Sequence, residues 1–556
     1  MCKIKLDVLL NHLKGLNKPV EERSNESSIQ YEETEQPFNA PFTLDNILKA
    51  IAKLKNNKAC GLDIILNEYL KISVDVLAPL LVKLFNIILD TGNVPIDWTV
   101  GIIQPIYKNK GSDEDPNNFR GITLLSCLGK LFTALLNERL YTFLVVNGYL
   151  GSEQNAFRPA YSTMDSIFLL KMIIDFYAFK KKRLYCAFID FEKAFDTINR
   201  RSLWSKIIAN GINGKILRVI MNLYANAKSC VRKEGKLSEM FSSSVGVRQG
   251  ENLSPLLFAI YVNDLKTSMS SCYDGLPTMK KCFLTQMGEN SEWEDLFVLL
   301  YADDTVILAE SEDQLQKAIT GMYNYCKKWQ LRVNIKKSKV MVFSRGVIRK
   351  KPKIMYNNNL LDVCNEFVYL GIKLNCNGSL KKGLEYLSHQ ANNAMFSLLS
   401  KVRKLSLTID TAMHLFECTV LPIILYGCEI WGHEDIKAAN TLYLRFYKIL
   451  LGLKKSSNTC LILGELGKLP LRSIINKRMI YFWAKLVLDD QHKLSGNILK
   501  WITTLKTNSG WCPSWLNFIH NTLDMAGLSQ MWCTPNIFSA NYIKKYFNLR
   551  STDIAK

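Results

Sequence analysis

Three carboxylates make the strongest chemical suggestion in this chain. Asp190 ends the apolar run LYCAFID (184–190), and Asp303 and Asp304 sit inside FVLLYADDTVILA (297–309). Two apolar strands delivering carboxylates to one end of a sheet would bury like charges together, which is costly unless a cation neutralises them. Hard oxygen donors suit Mg²⁺, which keeps waters and accepts substrate phosphates as its remaining ligands. Two such ions, ~3.5–4 Å apart, stabilise the attacking and leaving oxygens of an in-line phosphoryl displacement. Each carboxylate also has a plainer reading: Asp190 as a helix cap or solvated strand end, Asp303–Asp304 as ordinary turn formers. Asp196, just ahead of a helical segment, reads as a helix N-cap.

The elements that must hold these residues follow from hydrophobic patterning. Residues 184–190 read as a buried strand, and 297–309 as strand, tight turn and strand. Thr43 is expected to cap a helix with Leu44, Ile47, Ile51 and Leu54 on one face. A basic loop, LKNNKACGLD (54–63), precedes amphipathic helix to about Gly92, and VGIIQPIYK (100–108) reads as a strand introduced by Pro95 and Trp98. After Asp190 come two helical segments broken at Gly211 and Gly214, then a hairpin around Gly235. Ser311 and Gln314 form a capping-box pattern opening a helix with Leu315, Ile319, Met322, Cys326 and Trp329 inward. VMVFS (340–344) and FVYLGIKL (367–374) are expected as two further strands, and the remainder as mainly helix. The polar, acidic stretch 21–37 suits a linker. This organisation is α+β, a sheet domain followed by a helical one.

Composition narrows the partner. The 556 residues carry 71 Lys+Arg against 50 Asp+Glu, a net charge of +21 that favours a polyanion such as nucleic acid. Fifteen cysteines are scattered without a CxxC or zinc-ligand spacing, which fits a reduced intracellular protein and excludes a disulfide framework. There is no signal-peptide pattern and no apolar run of the roughly 18–20 residues that cross a bilayer. Leu421 to Trp431, one of the longest apolar runs, is short enough for buried helix or strand.

Set in order, the motifs resemble those of reverse transcriptases from non-LTR, LINE-type retrotransposons. FIDFEKAFDTINR (188–200) looks like the family's first palm motif, GVRQGENLSPLLFAIYVNDL (246–265) like the second, and YADD (301–304) like the third. NIKKSKVMVF (334–343) is similar to the fourth and FVYLG (367–371) to the primer grip. LKNNKACGLD, the run PIYKNKGSDEDPNNFRGITLLS from Pro105, and FRPAYST (157–163) resemble its finger motifs. LPIILYGCEIWG (421–432) and GELGKLPL (464–471) resemble the segment that follows the polymerase in the same group. YADD alone is a weak signal, whereas motifs collinear over roughly residues 43–375 are a strong one.

The resemblance implies a right-hand polymerase fold with fingers, an antiparallel-sheet palm and a helical thumb, and RNA-templated DNA synthesis with two Mg²⁺ ions (Mn²⁺ as an alternative). By the same route Asp190, Asp303 and Asp304 are the metal ligands, and Lys337 is the acid that protonates departing pyrophosphate, with Lys336 and Lys339 as register alternatives. Phe195 is the wall against a ribose 2′-OH, and Gln249 and Gly250 contact the incoming dNTP. Arg120, preceded by Asn118, reaches the triphosphate, with Lys108 as a further candidate. Tyr369, Leu370 and Gly371 support the primer end. The implied division is 1–40 extension, 41–180 fingers, 181–375 palm, 376–475 thumb and 476–556 helical C-terminal region.

Departures from the family fall in the fingers, where Pro is often found near Cys60, Leu62 and Gly121, and Gly near Ala160. No nuclease-like histidine cluster is seen, so an endonuclease is not expected within this chain. Expected partners are an RNA template, a DNA primer or target end and dNTPs, without a membrane, in a ribonucleoprotein of nucleus and cytoplasm. The rivals are a decayed or domesticated RNA-binding protein, an intron-encoded maturase and an RNA-templated RNA polymerase.

Overall fold

A computed structural model of the chain describes residues 4–16, 36–109, 111–273, 275–287, 298–346, 350–488, 493–509, 511–533 and 542. Its strands begin with β1 (Val100–Tyr107), β2 (Phe119–Leu124), β3 (Leu184–Asp190), β4 (Lys228–Lys233), β5 (Lys236–Leu237) and β6 (Phe241–Ser242). They continue with β7 (Val298–Tyr301), β8 (Asp304–Ala309), β9 (Lys339–Phe343), β10 (Met355–Tyr356) and β11 (Asn359–Leu360). The last are β12 (Asp362–Val363), β13 (Glu366–Tyr369) and β14 (Ile372–Asn375). Helices occupy most of the remainder, so the α+β reading of the sequence holds.

The chain divides into two compact units interleaved along the sequence. The first comprises Met1–Phe157, Asp190–Met269 and Gly321–Asn334. Its sheet runs β2-β1-β4-β5, with β6 also on β4; β1 is antiparallel to β2 and parallel to β4. The β4–β5 hairpin turns at Glu234 and Gly235, both at positive φ (51° and 80°), the backbone of a two-residue type I′ turn. A helix, Leu6–Leu16, lays Leu9 and Leu10 against Ile103, Val231 and Phe241 of this sheet. The helix Leu44–Ala52 starts at a Thr43 capping box closed by Asn46, and buries Ile47 and Ile51. Leu44, expected on the same face, is instead exposed, since it occupies the first turn where the helix leaves the core.

The second unit comprises Arg158–Ile189, Ser270–Thr320 and Ile335–Lys556. Its five-stranded sheet has the order β12-β9-β3-β8-β7, with β3–β9 and β7–β8 antiparallel. The helix Thr163–Phe179 is apolar almost all round, and Ile167, Phe168, Leu169, Leu170, Ile173 and Phe176 are all buried. Such a helix must be covered on every side. It shares one core with β3, β8 and the C-terminal helices Leu471–Val487, Leu494–Ser509 and Ser514–Met525.

Two local expectations are corrected. FVYLGIKL is not one strand but the hairpin β13–β14, broken where Leu370 and Gly371 both take positive φ (45° and 84°). At Ser311 the hydroxyl accepts from the Gln314 N–H at 3.2 Å, but the Gln314 amide oxygen accepts from Glu310 N–H at 3.1 Å. The reciprocal half of the capping box is therefore shifted by one residue. Of the five side chains expected inward on the helix Glu312–Trp329, four are fully buried and Trp329 is half-buried. The linker stretch 21–37 lies almost wholly outside the described residues.

Candidate active site

β3 closes on Asp190, and its neighbour in the sheet, β8, opens at Asp304. Tyr301 pairs with Asp304 across a two-residue turn in which Ala302 adopts φ 57°, so the chain reverses at once after Tyr301. Asp303, in that turn, and Asp304 are both half-buried. Burial raises the Tyr369 hydroxyl well above its ordinary value, and the nearby Asp304 charge adds to the rise. Tyr369 and the YADD turn therefore share one environment in the second unit.

The donor set at these strand ends is carboxylate oxygen alone, which fits a hard divalent cation such as Mg²⁺ and not a sulfur- or imidazole-bound zinc. Among the described residues no three His, Cys, Asp or Glu side chains are gathered into a ready-made metal cage. Mg²⁺ demands none, because water and phosphate oxygens supply most of its octahedron.

In the first unit, the chain leaving Asp190 is held by residues just ahead of β9. Asn334 N–H donates to the Asp190 carbonyl at 2.8 Å, Phe191 bridges Val333, and Glu192 N–H donates to the Arg332 carbonyl at 2.8 Å. Phe195 stacks on Phe258 with centroids 4.8 Å apart and meets Phe157 edge-on at 6.1 Å. A side chain braced on two faces has little freedom to yield to a larger ligand.

Asp196 is not the N-cap expected of it. Asn199 caps the helix Arg200–Ala209, accepting from Ser202 N–H at 3.0 Å. The carboxylate of Asp196 instead accepts Gln249 Nε2 at 3.0 and 3.1 Å. Burial pushes its pKa up to about 6, against the opposing pull of Lys193 and Gln249. Backbone bonds lock the two motifs together: Val247 N–H donates to the Phe195 carbonyl at 2.7 Å, and Gly246 N–H to that of Ile198 at 2.8 Å. A Cβ on Gly246 would lie 2.5 Å from the Asp196 carbonyl oxygen, and one on Gly250 would lie 2.7 Å from that of Thr123. Both glycines are required by close backbone approach and by positive φ.

Arg120 is exposed on β2 opposite Ile106, and Lys108 is exposed just past β1. Lys108 donates to the Asn117 carbonyl at 2.7 Å, and Lys193 reaches the Asn117 side chain at 3.3 Å and lies 3.5 Å from His12. Burial lowers the pKa of both His12 and Lys193. In the second unit Lys336 and Lys337 are exposed in the turn before β9. Lys339, the third register alternative, is committed to Asp362 at 2.6 Å.

Residues 106–374 match the family model of reverse transcriptase (RNA-dependent DNA polymerase). This segment is a reverse transcriptase domain. The chain is 26% identical over 446 residues to the RNA-directed DNA polymerase from mobile element jockey of Drosophila funebris, covering 77% of this chain and 46% of that protein. It is 29% identical over 398 residues to the "Probable RNA-directed DNA polymerase from transposon BS" of Drosophila melanogaster, covering 70% of this chain and 42% of that protein. The Popillia japonica Pol polyprotein of retrotransposable element R2 is 26% identical over 350 residues, 61% of this chain and 45% of that protein. The chain thus spans less than half the length of these relatives. Among solved structures, apo telomerase from Candida tropicalis superposes with a TM-score of 0.37 at 14% identity, over 82% of this chain and 70% of that one.

Sequence reasoning missed two supports of the reverse transcriptase domain. Tyr426, in LPIILYGCEIWG, donates its hydroxyl to the Leu370 carbonyl at 2.6 Å, and a Cβ on Gly371 would meet the Tyr426 ring at 2.9 Å. The segment 421–432 therefore braces the Leu370–Gly371 turn directly. The other is Asp165, which is buried; it accepts Ser162 N–H at 2.8 Å, Ser495 Oγ at 3.0 Å and Lys485 at 3.5 Å. The S-T-M-D capping pattern at 162–165 was a usable signal for the first of these bonds; nothing local announced the other two.

Proposed function

We propose that the protein is an RNA-directed DNA polymerase, extending a primer 3′-OH along an RNA template by nucleotidyl transfer from dNTPs. The observation that carries this reading is the pair of neighbouring strands bearing Asp190 at the end of β3 and Asp303–Asp304 at the start of β8. Asp190, Asp303 and Asp304 would hold the metal ions, which when bound supply charge stabilisation for attacking and leaving oxygens. Everything else asked of the chain is positioning. Phe195, braced by Phe258 and Phe157, walls off a 2′-hydroxyl. Gln249, its amide nitrogen held by Asp196, keeps its carbonyl oxygen as an acceptor for the nucleotide sugar. Arg120 and Lys108 attract the triphosphate, and Lys337 donates the proton that pyrophosphate takes as it leaves. Tyr369, Leu370 and Gly371, backed by Tyr426, support the primer end.

The test is extension of a DNA primer on an RNA template with Mg²⁺, comparing dNTPs with rNTPs. Extension with dNTPs, lost in Asp303→Asn, supports the reading, and Phe195→Ala should admit rNTPs. A folded, RNA-binding protein that extends nothing under these conditions would favour the decayed alternative.

A further inference from the structure

The helix Leu6–Leu16 lies in the stretch expected to be an extension, yet it is seated on the sheet of the first unit. Leu9, Leu10 and Leu13 pack against that sheet, and Lys14 pairs with Glu239. The same helix touches the turn Pro116–Asn118, which sets His12 beside Lys193 and Lys108. Asn117 ties the three together. Its carbonyl accepts from Lys108 at 2.7 Å, its side-chain oxygen accepts from Lys193 at 3.3 Å, and the Lys193 nitrogen lies 3.5 Å from His12 Nε2.

The acids around this cluster do not neutralise it. Asp115 faces His12 and Lys193, but it accepts the Asn117 backbone and side-chain N–H groups at 2.9 and 3.0 Å. Glu192 and Asp196 face Lys193 from its own turn. Among the described residues no carboxylate comes within ion-pair distance of His12 or Lys193. Lys193 is also held at φ 48°, a left-handed backbone that an L side chain adopts only against steric resistance. Strain of this kind persists where the surroundings impose it, and it gathers at ligand clamps.

Position names the anion. Lys193 stands two residues before Phe195 and three before Asp196, the residue that holds Gln249. Asp196 N–H donates to the Lys193 carbonyl at 2.8 Å, so one tight turn carries both this cation and the groups assigned to the nucleotide. His12 is neutral at pH 7, because burial and then the Lys193 charge lower its pKa. An anion that neutralises the two lysines lifts the second of these effects. His12 then takes up a proton and becomes a third donor.

We propose that His12 and Lys193, with Lys108, form a polyphosphate-binding site that takes the triphosphate of the incoming nucleotide. That the triphosphate is a nucleotide's rests on the proposed polymerase function. The test is titration calorimetry of the full chain with inorganic tripolyphosphate, without divalent metal, across the titration range of histidine. The parent should bind with proton uptake, read as a dependence of the heat on the buffer's ionisation enthalpy. His12→Gln should bind about tenfold more weakly near pH 6 and lose the uptake that belongs to His12. The phosphate's own titration is common to both proteins and cancels in the comparison. Lys193→Met should weaken binding about tenfold at every pH. Equal affinity and equal proton uptake in the parent and His12→Gln would overturn the proposal. So would variants that weaken binding of a single-stranded RNA oligonucleotide and leave tripolyphosphate untouched, since the cluster would then be a backbone contact. Tripolyphosphate bound through His12 by a chain that extends no primer would keep the site and remove only the polymerase reading. Primer extension with a dNTP KM unmoved by His12→Gln would do the opposite.

Discussion

Two acidic positions in the second unit, the Asp303–Asp304 turn and Asp165, show how differently a carboxylate can be used. Asp165 lies at the N-terminus of the helix Thr163–Phe179, 1% exposed, and its partners come from the chain itself. Two of them, Lys485 and Ser495, are 320 and 330 residues away. Lys493 adds a bond to the Ala160 carbonyl at 3.0 Å and lies over the Tyr161 ring at 4.8 Å. The Asp303–Asp304 turn instead stands half-buried where two short strands reverse. One carboxylate holds the C-terminal helices to the sheet domain; the other two are the proposed metal ligands. The first belongs to stability and, on the proposed function, the second to chemistry.

The largest expected effect separates the two roles. Asp303→Asn should lower primer extension by about a thousandfold or more, the scale on which losing a charge stabiliser acts. Its thermal midpoint should stay within a few degrees of the parent. Asp165→Ala should do the reverse, costing about 2–3 kcal/mol by stranding Ser162, Ser495 and the Lys485 charge. Denaturant midpoints of both variants beside their extension rates check this. Equal destabilisation by the two would erase the distinction.

The same contrast explains what the sequence disclosed. β3, β7, β8 and the turn between the last two are short-range objects, so a run of apolar residues closed by a carboxylate was enough to locate them. Phe195, Gln249 and Gly250 were named through motif resemblance, and the Val247–Phe195 backbone bond and the Gln249–Asp196 bond hold their two segments together. Asp196 was misread because local spacing made it a cap, whereas a hydrogen bond to Gln249, 53 residues on, decides its conformation. The C-terminal region 476–556 was read as helix, but its packing partners were not, for a similar reason. Trp501 and Trp511 pack on Phe176, and Trp515 on Phe168, across more than 300 residues of chain. Periodicity shows that such aromatics are buried, not against what.

Asp196 offers a sharper version of the comparison, with an intermediate effect. Its pKa is raised from the ordinary carboxylate value to about 6 by burial. For an acid raised on folding, the unfolded state releases its proton first. Stability is therefore full below about pH 4 and falls as pH rises through about 6. Asp196→Asn, which keeps the hydrogen-bonding shape without the charge, should flatten that segment of the stability–pH curve. Urea midpoints at half-unit steps from pH 4 to 7 would show it. An identical slope in parent and variant would mean that the carboxylate is solvated and not strained by its site.

The smallest effect concerns the loop that Lys493 fastens. Ala160 sits at φ 66°, in the left-handed region that an L side chain adopts at a cost of roughly 1–2 kcal/mol. Its carbonyl is the acceptor for Lys493, so the C-terminal region helps to hold a residue in a conformation it would not choose. Ala160→Gly should relieve the strain, and the gain should be only about 0.5 kcal/mol, because glycine also enlarges the entropy of the unfolded chain. In a Lys493→Met background, where that tether is gone, the same substitution should lose its benefit if the left-handed conformation relaxes with the tether. If glycine stabilises both backgrounds equally, the loop holds its own shape and the C-terminal helices merely rest upon it. A gain confined to the parent would mean that the hub around Asp165 imposes the loop's conformation as well as anchoring the helices.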